Sequence, residues 1–164
     1  MTSTTTVDSP IGLLQLTAED GALTRVFMDA QRYAPGPAQS QAWRDDRSAL
    51  AGVTEQLVAY FAGELIEFDV ALRPAGTGFQ RAVWAALQAV PYGETCSYGA
   101  IATQVGSPSA SRAVGQANGR NPIAVIIPCH RVIGSSGSLT GYGGGLDRKQ
   151  WLLAHERKVL EGRG

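Results

Sequence analysis

The segment Arg73-Pro74-Ala75-Gly76-Thr77-Gly78 divides a chain of 164 residues into halves that follow different patterns. One proline and two glycines within six residues interrupt a helix or a ladder strand. Residues 1–75 read as strands with one helix. Runs 4–8, 13–17 and 22–28 are β-prone, with Ser9-Pro10-Ile11-Gly12 and Glu19-Asp20-Gly21 as the turns between them. Residues 31–47 lack periodicity and read as a loop. In 48–62, Leu50, Val53, Leu57 and Phe61 recur at helical spacing, and Gly63 sits where a C-terminal cap belongs. Residues 68–73 alternate as a short strand.

Residues 76–164 read as mainly helical. Thr77 and Gln80 have capping-box spacing ahead of Phe79, Val83, Leu87 and Val90 on one face, and Pro91-Tyr92-Gly93 closes that helix. Runs 98–105 and 109–118 are two short helices around Gly106-Ser107-Pro108, the dimensions of a helix-turn-helix or of an ordinary helical hairpin. The second consists largely of small residues (Ser109, Ala110, Ser111, Ala113, Gly115, Ala117) and projects Arg112 near its start. A lone guanidinium on a narrow helix suits insertion into a groove, and the motif alone points to the major groove of DNA. Residues 123–127 are an apolar, β-branched run of buried-strand type, stopped by Pro128. Residues 134–145 form a glycine-rich loop that fits neither phosphate-binding pattern. Asp147 is placed to cap a last helix carrying Trp151, Leu152, His155 and Glu156.

The net charge of zero conceals a polarity. Residues 1–75 hold five arginines against ten acids, whereas residues 76–164 hold nine basic residues against four acids. A basic half attracts polyanions that the whole chain would not. No run reaches the ~20 apolar residues of a membrane span, and the first residues lack the pattern of a secretory signal, so a cytoplasmic protein is expected. Two cysteines, Cys96 and Cys129, do not make a disulfide framework. With His130 and His155 as the only histidines, no zinc-knuckle spacing exists.

Cys129 closes the apolar run, with His130 and Arg131 beside it and Asn121 and Pro122 just upstream. A thiol needs a base or a positive field to form thiolate near neutral pH. Neighbours on extended chain point apart, so His130 would act through a bridging water. Glu156 is the better-placed acid to orient the imidazole, the logic of a Cys-His-acid triad. That spacing leaves open an acyl-transfer enzyme and an alkyl acceptor.

Residues 127–133, Ile-Pro-Cys-His-Arg-Val-Ile, resemble the signature of the 6-O-alkylguanine-DNA alkyltransferases, the methylated-DNA–protein-cysteine methyltransferases. The resemblance extends through Phe79-Gln80-x-x-Val83-Trp84, Pro91-Tyr92-Gly93-Glu94-Thr95, Ser97-Tyr98, Arg112-Ala113-Val114-Gly115, Asn121-Pro122 and Gly141-Tyr142-x-Gly144-Gly145 to residues 151–156. It is strong over residues 77–156. The first half matches in length and strand-helix order.

The resemblance implies an α/β fold. A small N-terminal RNase H-like α/β domain with an antiparallel sheet (1–75) precedes a mainly helical C-terminal domain with a helix-turn-helix (76–164). It implies stoichiometric DNA repair, in which Cys129 takes the alkyl group from the 6-oxygen of guanine, His130 acts through water, Glu156 supports His130, and Asn121 holds the turn. Tyr98 and Arg112 match residues that rotate the nucleotide out of the duplex, which the chemistry requires because a stacked guanine is out of reach. Ser111, Ala113 and Gly115 would lie with Arg112 in the minor groove, not the major one. Tyr142, Gly143 and Val132 would line the base pocket; Gly143 stands where some relatives have serine, so backbone donors serve there. The expected partner is double-stranded DNA bound by a monomer, singly or cooperatively along the duplex, in a bacterial-type cytoplasm. No cofactor or metal is expected, since residues 1–75 lack the cysteines and histidines that hold zinc in some relatives. Cys96 reads as incidental. The rivals are a lesion sensor, against which Cys129 stands, a transcriptional regulator, against which the lack of an extra regulatory domain stands, and a cysteine hydrolase, which would turn over and leave Arg112 without a purpose.

Overall fold

The computed structural model describes residues 1–29, 31, 34–36, 40–134, 136–137 and 142–163. Parts of the two expected loops, including Gly141 of the family motif, lie outside the described residues.

Strands β1 (Ser3–Val7), β2 (Leu14–Glu19) and β3 (Ala22–Met28) form an antiparallel meander. Asp20 and Gly21 both take positive φ, 50° and 79°, the two-residue turn whose twist matches the strands it joins. Register sets Leu14 opposite Met28 and Leu16 opposite Val26, and all four are buried. A fourth strand, β4 (Arg44–Asp45), pairs parallel to β1, giving the order β3-β2-β1-β4. The sheet is therefore mixed, and the stretch read as a loop contributes to it; two residues are too few to show a period. A 3-10 turn, Ser48–Leu50, leads into α1 (Ala51–Phe61), so the regular helix starts three residues later than its periodicity predicts. The expected strand at 68–73 reduces to one bridge, Leu72 to Leu23.

In the second half, α2 (Gly78–Gln88) opens on the expected capping box: Gln80 N–H donates to Thr77 Oγ1 at 3.1 Å and Thr77 N–H to Gln80 Oε1 at 2.9 Å. Its buried Trp84 donates from Nε1 to Ala117 O at 2.9 Å. Then follow β5 (Cys96–Ser97), α3 (Tyr98–Gln104), α4 (Ser111–Gly119), a 3-10 turn (Cys129–Arg131), β6 (Val132–Ile133) parallel to β5, and α5 (Leu146–Arg163). Helix α4 starts two residues later than expected, and Asp147 lies inside the first turn of α5 rather than capping it.

The apolar run 123–127 is buried, as expected, but it is not a strand. Ile123 makes a single parallel bridge to Val26, and the chain then turns, with Ile127 N–H donating to Ile123 O at 3.0 Å. Val125 takes φ 71°, strain of roughly 1–3 kcal/mol for a β-branched residue. Val26 N–H donates to Pro122 O (2.9 Å) and Ala124 N–H to Val26 O (3.0 Å), so the free edge of β3 holds this turn. A continuous apolar run cannot by itself tell a buried strand from a buried turn.

Candidate active site

Asn121 organises the turn before Cys129. Its Nδ2 donates to Ile127 O at 2.8 Å, and its Oδ1 accepts from Ile123 N–H at 3.0 Å. One buried amide thus satisfies backbone groups that a ladder would otherwise have paired. Asn118, from α4, donates to Cys129 O at 3.3 Å. Cys129 therefore starts a 3-10 turn instead of ending a strand, and His130 follows it in the same turn.

The thiol is 5% exposed. Burial pushes its pKa up to about 11, with the Asn121 side chain and the Lys149 ammonium partly opposing the shift. The motif by itself suggests only an ordinary thiol; in this resting state burial holds it firmly protonated. His130 is fully buried, and Glu156 Oε2 lies 2.7 Å from its Nε2. Burial holds the imidazole pKa below the ordinary value, against the pull of Glu156. Burial alone would raise the Glu156 pKa, but the His130 hydrogen bond and the Arg131 guanidinium hold it well below the usual carboxylate range. Arg131 grips both oxygens at 2.9 Å through Nε and Nη2. An anionic acceptor fixes the imidazole proton on Nε2 and leaves Nδ1 as the basic atom. Nδ1 is buried with no protein partner, so no direct hydrogen bond joins it to Cys129.

Three further interactions escaped the sequence reading. Tyr60, from α1 in the first half, donates its hydroxyl to Glu156 Oε2 at 2.6 Å. Gly93 N–H donates to Glu156 Oε1 at 3.2 Å; Gly93 has φ 78°, and a Cβ there would lie 2.1 Å from Leu160 Cδ1. Only glycine fits that approach. Lys149 is fully buried and donates from Nζ to Val132 O. The spacing of Lys149, Leu152 and Glu156 was the available signal, since i, i+3 and i+7 share one face of α5.

Val132 and Tyr142 are buried and Gly143 half-buried. Burial, and then the nearby Cys129 thiol, keep the Tyr142 phenol neutral. Next to it, a Cβ on Gly144 would meet Met28 and Tyr142 at 2.8 Å, so this close approach also needs glycine. Tyr98, Ser111, Arg112, Ala113 and Gly115 form a separate group. Ser111, Arg112 and Ala113 are exposed at the start of α4, while the Tyr98 ring lies 3.8 Å from where a Gly115 Cβ would be. Cys96 is half-buried in β5, opposite Val132 in the register, and burial raises its pKa. His155 stacks on Trp151 with ring centroids 4.8 Å apart and bonds to Tyr60 O, a packing role. Among the described residues, no group of three or more His, Cys, Asp or Glu side chains is placed to hold a metal ion. No described helix is long and apolar enough to cross a membrane.

Residues 78–158 match the model of the 6-O-methylguanine DNA methyltransferase DNA-binding domain, and residues 3–74 match the ribonuclease-like domain of the same proteins. The chain is 62% identical over 153 residues to the methylated-DNA–protein-cysteine methyltransferase of Mycolicibacterium paratuberculosis, covering 93% of this chain and 91% of the relative. The chain belongs to this family. The Mycobacterium bovis methyltransferase is 57% identical over 93% of this chain and 90% of its own length. The crystal structure of Mycobacterium tuberculosis OGT in complex with DNA superposes with a TM-score of 0.91 at 55% identity, over 96% of this chain and 94% of the other.

Proposed function

We propose that this methyltransferase-family protein repairs DNA by moving an alkyl group from the 6-oxygen of guanine onto Sγ of Cys129, once per molecule. The observation that carries this reading is that buried His130, in the turn that begins with Cys129, pairs at 2.7 Å with buried Glu156 of α5. A thiol with a pKa of about 11 does not ionise by itself at neutral pH. Its proton passes through a bridging water to His130 Nδ1, and the Glu156 anion stabilises the imidazolium. The thiolate attacks the alkyl carbon as the carbon–oxygen bond breaks. The electron pair goes to the guanine, where the Tyr98 phenol hydrogen-bonds N3, and the ring then takes a proton from solvent. The product is a thioether, which has no easy hydrolytic exit.

The exposed start of α4 supports the DNA side of the reading. Ser111, Ala113 and Gly115 keep the helix thin enough for a minor groove, and Arg112 fills the space of the rotated nucleotide. The protein acts as a monomer, with Tyr142, Gly143 and Val132 around the extruded base.

Intact mass after incubation with an oligonucleotide carrying methylated guanine tests the reaction. One methyl mass should appear on Cys129 and the reaction should then stop; repeated turnover, or methylation of Cys96 instead, refutes it. Arg112→Ala should weaken duplex binding and slow repair there, while reaction with free benzylguanine changes far less. Equal loss on both substrates would make Arg112 part of the fold or the pocket.

A further inference from the structure

A groove of about 610 Å³ runs between the sheet domain and the C-terminal end of α4; apart from Asn121, which also holds the turn before Cys129, its lining lies outside the alkyl-transfer site. Among the described residues, four guanidinium side chains line it, Arg25, Arg73, Arg81 and Arg120, together with Trp43 and one carboxylate, Glu19. Arg25 and Arg73 come from the half of the chain whose net charge is negative, so the acidic half also contributes positive charge to this surface.

The local geometry suits an anion. The Arg25 guanidinium carbon lies over the Trp43 ring, 5.4 Å from its centroid, a cation–π contact that helps hold the side chain in the groove. Arg73 and Arg81 are exposed; Arg73 has only a 3.4 Å approach to the exposed Asp20, and Arg81 makes no ion pair among the described residues. Glu19 accepts a hydrogen bond from the Thr2 hydroxyl at 2.7 Å. Gly119 and Arg120 of the lining directly end α4, the helix whose other end carries Arg112. At about 1.5 Å per residue, that helix is about 13 Å long, close to four steps along a DNA strand.

We propose that this groove binds the phosphodiester backbone of duplex DNA beyond the part that α4 reads. The N-terminal domain then supplies sequence-independent affinity, and the footprint spans both domains. This rests on the repair reading above for the placement of DNA along α4. Phosphate is the chemistry recognised, and continuity with α4 selects DNA over a free nucleotide as its source.

The test is the salt dependence of binding by the full chain to an undamaged duplex, read by fluorescence anisotropy. In Arg73→Gln/Arg81→Gln, the slope of log K against log salt should become shallower by about 2, about one for each phosphate that is no longer neutralised. Glu19→Gln should tighten binding. Transfer from free benzylguanine should be unchanged in both variants, which also reports that they are folded. An unchanged slope in the double variant overturns the proposal. So does adenosine monophosphate binding that the double variant abolishes while its duplex slope stays at the wild-type value. Intact mass separates the two levels of failure: if methyl reaches Cys129 from lesion DNA while the slope is unaltered, only the groove assignment falls. If no methyl is transferred by the wild type, the repair reading itself falls.

Discussion

The two halves of the molecule bury different things. Among the described residues, the buried polar side chains of the first half are Ser3, Thr5 and Thr17 on strands, beside the Tyr60 hydroxyl on α1. In the second half they are Asn118, Asn121, His130, Arg131, Lys149 and Glu156, which bond to the stretch 127–132 that carries Cys129 or to one another. The first half is a packing unit: Leu14, Leu16, Val26 and Met28 fill one face of its sheet, and α1 buries its own Val53, Leu57 and Tyr60. The second half places charges in a low dielectric, where each must be paired and hydrogen-bonded to be tolerated. Stability and reactivity are therefore concentrated in different parts of one continuous core. Among the contacts that join the halves are the edge of β3 holding the turn at 122–124, Tyr60 reaching Glu156, and Arg148 donating to Ile11 O and Asp29 O.

That division can be broken by experiment. The largest effect belongs to Cys129→Ser, which should bind lesion DNA yet show no methyl gain by intact mass. Glu156→Gln comes next. Losing the carboxylate charge should slow single-turnover transfer at neutral pH by about 10²–10⁴. Because the thiol pKa is about 11, the rate of that variant should climb with pH toward that value as solvent deprotonates Cys129 directly. A folded Glu156→Gln protein with the wild-type rate would make Glu156 a packing residue.

Leu16→Ala should behave in the opposite manner. Opening a cavity under the sheet costs about 2–5 kcal/mol in denaturant unfolding, with the transfer rate of the folded fraction unchanged. A rate loss larger than the unfolded fraction explains would mean the first half is more than a packing unit. Tyr60→Phe probes the junction. It removes a hydrogen bond to a buried carboxylate, about 1.5–3 kcal/mol, and should slow transfer by less than about tenfold. If melting temperature and rate are both unaltered, the Tyr60–Glu156 hydrogen bond couples nothing.

The smallest effect is the pH dependence of stability. The folded-state pKa of His130 lies below its unfolded value, so the unfolded chain binds more protons in that window. Stability should be fully present above about pH 6.5 and fall below it, by about 1.4 kcal/mol per unit at most from this group. Glu156, also depressed, adds a loss that begins only below the ordinary carboxylate range, near pH ~4. Melting temperatures between pH 4 and 8 check the sign.

Much of this was legible in the residues, for local reasons. The Asp20-Gly21 turn, the capping box at Thr77 and the small-residue helix before Arg120 are short-range features, set by backbone conformation and side chains within a few positions. Cys129, His130 and Glu156 could be named from motif and spacing. Their geometry could not, because Glu156 lies 26 positions from His130 and its other partners come from Tyr60, Gly93 and Arg131.

By itself, then, the sequence determined the β-prone first half and helical second half, the helix boundaries to within a few residues, and Cys129 as the candidate nucleophile. Only the tertiary structure decided that residues 123–127 turn instead of extending, since the backbone partners that make the turn possible are the Asn121 amide and the edge of β3. It also decided that Lys149, Arg131 and Glu156 are buried together, and with them the protonation of the thiol. The physical reason is range. Propensity and capping act over one or two turns of chain, whereas desolvation and charge pairing depend on every group that folding brings within a few ångströms.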